Sequence, residues 1–408
     1  MECLVRLIKF AQAVALSIVV ILPVHANDTE EMMRMVRALK ERVEQLEYQL
    51  AQQSRKVEQV EAIANGSGRP KHFQALNKRL ERLEKAKKSD HKFDGVEFHG
   101  IVEVEAVSGD DHTGADGSDL ALSAVELGFD FRVFDDWVTG SFAALHEDDD
   151  TDKWEVDQAF ITIGNTNQFP AYVSAGRLYV PFGNYQTNLV SDPMTLEIGE
   201  TRETTLQLGF EKNNWYGSGY IFNGDMDETG DDKVDNYGFN FGYAREGDED
   251  SLDVGVSWIN NLADSNGLEA MVTGPLKDHV AAYSLHGVYR TGPWSFIGEY
   301  ITATESYQRG ELRWKAGGAQ PSAYNLEIGY DFVALGGRDS NVAFALQGTD
   351  EALALALPEN KWLVGMSTTL YDNTSLAIEY ANAEDYSVND GGTGKDGNVV
   401  TLQVAVDF

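Results

Sequence analysis

The sequence predicts an all-β transmembrane chain: a 16-stranded antiparallel outer-membrane β-barrel over residues 93–408, preceded by an N-terminal α-helical coiled coil over residues 27–92. Three observations predict it. The apolar period changes from 3.5 to 2 after Phe93 and stays at 2 to the end. Strand candidates begin near Val96, Leu120, Trp137, Trp154, Ala171, Arg202, Trp215, Asn236, Ser251, His279, Trp294, Pro321, Asn341, Lys361, Thr374 and Asn398, an even set. Short connections alternate with long ones, tight turns such as Asn213-Asn214 and Asp372-Asn373 against long loops rich in Asp and Gly.

Residues 1–26 read as a secretory signal. Arg6 and Lys9 precede an apolar run from Phe10 to Val24, and the segment ends on the small residue Ala26. The run is short for a ~20-residue membrane span and contains Pro23, which weighs against an anchor. Cys3 is the sole cysteine and would leave with the signal, so no thiol or disulfide chemistry is expected. Between residues 27 and 92 there are 15 basic and 11 acidic side chains; beyond them, 15 and 54. So acidic a domain excludes nucleic acid as a partner, because phosphate binding needs a positive surface.

Val36, Val43, Leu50 and Val57 at a, with Leu39, Leu46, Gln53 and Val60 at d, form a heptad seam. A stripe of this kind cannot be buried by one helix, so self-association is expected. Valine at a with leucine at d leans toward two strands, whereas a porin would be a trimer, and packing of the helix on its own barrel mouth is the blander alternative. Residues 65–70 (NGSGRP) break the helix before a shorter seam resumes.

In the barrel region Val125, Leu127, Phe129, Phe131 and Val133 alternate with polar residues. If these meet lipid, the pleat turns Glu126, Asp130 and Arg132 to the lumen, and the same step places Glu103, Glu105, Glu299, Glu327, Asp331, Glu379 and Arg177 inside. Acid then dominates the lumen, and rings of carboxylates favour cations. Both termini fall on the short-turn side. The stretch 172–210 organises the rest. Its ends alternate as strands, and the loop 181–201 is too long for a turn and, with Leu189, Val190, Met194, Leu196 and Ile198, too apolar for water. It is expected to fold into the lumen as a constriction built from Tyr179, Pro181, Phe182, Gly183, Asp192, Glu197, Glu200 and Arg202. The alternation Leu402, Val404, Val406 and Phe408 ends the chain on an aromatic, which is read as an assembly signal.

The stretch 225–231 (DMDETGD) begins like a calcium loop but has Asn236 where the bidentate Glu belongs, so a metal is left open. The His residues lack ligand spacing and no serine sits in a nucleophile elbow. Neither an enzyme nor a cofactor is expected.

The segments GRLYVPFG (176–183), VDQAF (156–160), GETRET (199–204) and DNTSLAIEY (372–380) resemble the LbtU-type siderophore porins. The seam and the terminal Phe408 fit as well. The resemblance implies an outer-membrane porin of sixteen strands associated with siderophore-bound iron uptake, and it brings no ligand residues with it. The expected function is a cation-selective porin for small solutes, ferric siderophore among them. The alternative is a structural tether whose coiled coil contacts the periplasm or cell wall, and a tether has no use for an apolar segment inside its lumen.

Overall fold

A computed structural model describes residues 95–134, 136–147, 154–226, 228, 233–247, 249–334 and 336–408. The expected signal, coiled coil and seam lie outside the described residues, as do parts of the acidic loops at 148–153 and 227–232.

Sixteen strands form one closed barrel in which every strand pairs antiparallel with its neighbours. In chain order they are β1 (Val96–Asp110), β2 (Asp116–Val133), β3 (Val138–Glu147), β4 (Glu155–Ile163), β5 (Ala171–Tyr179), β6 (Arg202–Lys212), β7 (Trp215–Asn223), β8 (Asn236–Glu246), β9 (Asp250–Ile259), β10 (Ala282–Thr291) and β11 (Trp294–Ala303). A two-residue hairpin, β12 (Arg313–Trp314) with β13 (Gly317–Gly318), sits in the following loop. The barrel resumes with β14 (Ser322–Ala334), β15 (Arg338–Asp350), β16 (Asn360–Tyr371), β17 (Thr374–Glu384) and β18 (Asp396–Asp407). Each of the expected strand starts falls in or beside one of these. The largest offsets are at β2, β10 and β15, where the ladder extends into a loop or starts after it.

Closure joins β18 to β1, from Ile101 opposite Asp407 to Asp110 opposite Asn398. Phe408 completes the seam: its N–H donates to the Gly100 carbonyl at 3.0 Å and its carbonyl accepts from the Gly100 N–H at 2.9 Å. Among the described residues the barrel strands leave no open edge, as a barrel in lipid requires.

The sheet is apolar outward and polar inward. On β18 Leu402, Val404 and Val406 are exposed while Thr401, Gln403 and Ala405 are buried. Water would penalise such a surface, whereas hydrocarbon does not. The tight turns reverse on residues that tolerate positive φ, Asn213 at 53° and Asn214 at 71°.

The apolar core lies inside the barrel, on one side. Val180, Phe182, Met194 and Ile198 of the loop after β5 pack against Tyr220 and Phe222 of β7, Ile259 of β9 and Ile301 of β11. Leu262, Leu268 and Leu276, from the loop between β9 and β10, complete it. Burying each such side chain contributes on the order of 1.5–3 kcal/mol. This inward core is why the loop after β5 does not hang in solvent.

Candidate functional site

The loop 180–201 leaves β5 at Val180, whose N–H donates to the Thr201 carbonyl at 3.0 Å and closes its base. Gly183 (φ 80°) and Tyr185 (φ 53°) turn the chain along the wall. A short helix α1 (Met194–Gly199) returns it to β6. A segment without its own ladder must find acceptors for its N–H groups, and here the barrel wall supplies them.

Successive strands do so in order. The Ser257 hydroxyl of β9 accepts from Gly183 N–H at 3.0 Å. On β11 the Glu299 carboxylate accepts from the N–H groups of Asn184 (2.6 Å) and Tyr185 (3.1 Å) and from the Thr195 hydroxyl (2.8 Å). On β14 Glu327 accepts from the Thr187 hydroxyl (2.6 Å), Asn188 N–H (2.7 Å) and the Asn188 side-chain amide (2.6 Å). On β17 Glu379 accepts from Val190 N–H (2.8 Å), Ser191 N–H (3.2 Å) and the Ser191 hydroxyl. The Gln347 amide oxygen of β15 takes Met194 N–H at 3.3 Å. Hydrogen bonds to charged groups contribute about 1.5–3 kcal/mol each.

This corrects the expectation for three wall acids. Glu299, Glu327 and Glu379 do point inward, but the loop covers them and they clamp it instead of lining the passage. Several other expectations also move. Phe182 is buried in the inner core at 1 % exposure. Arg202 is neutralised, with Nη1 on Asp157 at 2.9 Å and Nη2 on Glu155 at 2.6 Å. Arg132 sits beside Asp136 at 3.6 Å, near the short-turn end. Asp331 accepts from the Asn341 amide at 2.7 Å. Arg177 is not among the residues that line the passage; in the ladder it stands opposite Thr204, on the face that carries the exposed Val173 and Ala175.

What remains open is a passage of about 1720 Å³. Tyr179 at the end of β5 and Pro181, Gly183, Asp192, Glu197 and Glu200 of the loop line it on one side, and Glu103, Glu105, Glu126 and Asp130 line it from β1 and β2. Glu97, Glu147 and Asp157 join them. Asp157 was missed because β4 carries a bulge: Gln158 lies opposite Ala143 and Val156 opposite Ala144, so the extra residue turns inward beside Gln158. Tyr179 donates to Asp157 at 2.6 Å. Lys361 of β16 was also missed, although it shares the inward pleat with Leu363. It lines a side cavity of about 280 Å³ with Asp192 and Glu197.

The passage is therefore acidic on both sides. Asp192 is open to lumen water yet enclosed by the barrel, and this confinement pushes its carboxyl up to about 6. The neighbouring charges of Glu197, Glu147 and Glu103 add to the rise, and Lys361 opposes it. Burial, then Asp192 and Asp157, push Glu200 up to about 8 against the pull of Arg202. Glu197 is likewise exposed to the lumen, and the same confinement by the barrel raises it, again opposed by Lys361. Among the described residues no three His, Cys, Asp or Glu side chains converge as metal ligands.

An inside-out closed barrel with a long loop clamped across its lumen defines the class, the porin-type β-barrel. The chain belongs to the UPF0422 family: it is 30% identical over 338 residues to a UPF0422 protein of Coxiella burnetii, covering 77% of this chain and 72% of that one. A UPF0422 protein of Legionella pneumophila strain Paris is 26% identical over 286 residues, and the match spans 54% of that relative's length. No family model matches the chain. Among solved structures the fold is similar to the outer membrane channel DcaP of Acinetobacter baumannii (TM-score 0.53, 16% identity, 78% of this chain and 99% of that one). It is also similar to the anion-selective porin from Comamonas acidovorans (TM-score 0.54, 13% identity, 77% and 99%). OprB of Pseudomonas putida aligns likewise (TM-score 0.54, 10% identity, 82% and 97%). These likenesses concern the fold; charge preference belongs to the side chains of each lumen.

Proposed function

We propose that the protein is an outer-membrane channel for small solutes that prefers cations. The observation that carries this reading is the pairing of Asp192, Glu197 and Glu200 on the loop with Glu103 and Glu147 across the passage, with Lys361 set to one side. A cation crossing there exchanges part of its hydration for carboxylates, while an anion meets repulsion from the same charges. The clamped loop favours a channel over a tether, which gains nothing from a lumen narrowed by hydrogen-bonded loop backbone. No enzyme activity is assigned. Self-association through the seam at Val43 and Leu46, with three copies, extends the same reading.

Ferric siderophore as the solute rests on the sequence resemblance alone. The acidic passage adds a condition: neutral or cationic chelates enter, and strongly anionic ones are repelled. Swelling of liposomes containing the purified protein tests the proposal with solutes matched in size and differing in charge. Faster entry of the cationic member supports it. Equal or reversed rates, or no swelling with any small solute, overturn it.

A further inference from the structure

We propose a binding site for a first-row divalent transition-metal ion on the channel wall, formed by Tyr216 of β7, Asp253 of β9 and His286 of β10, on the short-turn side of the loop. All three side chains line the passage. Their donor atoms converge: Tyr216 Oη lies 2.9 Å from Asp253 Oδ1 and 3.3 Å from His286 Nε2, and His286 Nε2 lies 3.5 Å from Asp253 Oδ1. Two ligands each about 2.0–2.1 Å from one ion stand roughly 2.9 Å apart at a right angle and roughly 3.4 Å apart at a tetrahedral one. The triangle has those dimensions, so one ion reaches all three atoms with little rearrangement, and lumen water fills its remaining positions.

The wall is cut to bring these residues together. Tyr216 and His286 belong to strands separated by β8 and β9, about 4.7–4.9 Å per strand spacing. They meet because glycines lie under them. A Cβ on Gly242 would stand 2.3 Å from Tyr216 Cζ and 2.4 Å from its Oη. One on Gly255 would stand 2.5 Å from His286 Cε1 and 2.9 Å from both His286 Nε2 and Tyr216 Oη. Any other residue at Gly255 would push two of the three donors apart.

Another lumen histidine shows the contrast. His99 offers Nδ1 to Glu126 at 3.5 Å and Nε2 to Asp130 at 3.8 Å, so its two carboxylates sit on opposite ring nitrogens and share no ion. His286 directs one nitrogen at both partners. Nitrogen and oxygen donors of this kind suit Zn2+ and Cu2+. The carboxylates that surround the passage raise the local concentration of any dication.

The test is metal binding by the folded, untagged protein, with Zn2+ and Cu2+ each titrated against a chromogenic chelator; no conductance is measured, so the outcome is independent of the channel reading. One ion per chain is expected. His286→Gln and Asp253→Asn abolish it, Tyr216→Phe weakens it at least about tenfold, and His146→Gln, on the outer face, leaves it unchanged. Gly255→Ala retains every ligand and is expected to lose the ion too. Heat-modifiable migration confirms that each variant is folded, and where one is not, the others decide. Absence of binding by the parent protein, or binding that survives both His286→Gln and Gly255→Ala, overturns the proposal and leaves a hydrogen-bonded triad only.

Discussion

Glu327 looks, in the sequence, like a charge offered to the lumen, and in the fold it is a clamp that accepts three hydrogen bonds from the loop. Replacing it by Ala leaves those donors without an acceptor at a cost of about 1–3 kcal/mol. The expected outcome for Glu327→Ala is a lower unfolding midpoint and a larger, noisier single-channel conductance, because the loop is held at one point fewer. Glu327→Gln keeps an acceptor and should fall between the two. A parent-like conductance in both variants would mean that the clamp is dispensable.

The open carboxylates behave differently, since their protonation matters directly. Asp192 and Glu200 have raised affinities for protons, to about 6 and about 8, so each loses its charge as pH falls through its own value. For Glu200 the charge develops only above neutral pH. Cation preference should therefore decline in two steps between pH 9 and pH 5 (roughly the span of these two shifts), and Asp192→Asn should remove the lower one. The check is ion selectivity measured across that range. A profile flat to pH 5 would contradict a role for Asp192 and Glu200 in selectivity.

At the scale of elements, the strands were legible because a two-residue period has few rivals over long runs, and the turn at Asn213-Asn214 announces itself chemically. The loop 181–201 was legible as an inward fold because Met194 and Ile198 need a core. What escaped was the partner of each inward charge. Periodicity assigns a face and says nothing of what lies over that face. Glu299 and Glu126 look alike in their strands, and only the course of the loop makes one a clamp and the other part of the passage. Asp157 escaped for a second reason, since a bulge shifts the alternation by one residue. Lys361 stood in a strand whose inward side is otherwise small or apolar, a signal that the pleat could have yielded.

Phe408 belongs to this scale too. Its backbone closes the barrel against Gly100 and its ring lies over that glycine, where a Cβ would come within 2.6 Å of Phe408 Cζ. Deleting it removes two closure hydrogen bonds as well as an aromatic end. The expected outcome is a large drop in heat-modifiable folded protein in the outer-membrane fraction, with unfolded chain accumulating before it. Phe408→Ala keeps the backbone bonds, so normal yields from that variant with a deficit from the deletion would assign the effect to closure alone.

For the whole molecule, the lumen is divided between two jobs. On the β7–β17 side, buried acids and apolar residues hold the loop and the neighbouring 260–281 loop against the wall. On the β1–β5 side, carboxylates face water across the narrowed passage. The net charge of −34 is thus not a uniform solvating coat. Part of it is consumed in holding the loop and part is left to face the lumen. A fold shared with an anion-selective porin at 13% identity fixes no sign of selectivity.

The central claim, that the loop and β1–β4 form a carboxylate-lined constriction through which cations pass preferentially, is tested most directly by the reversal potential of the purified channel in a planar bilayer at pH 8 under a KCl gradient. The account predicts a potential of the sign set by K+, several-fold cation over anion, reduced when Asp192, Glu103 and Glu147 are neutralised together. A potential near zero, or one set by Cl−, in the parent protein would contradict it.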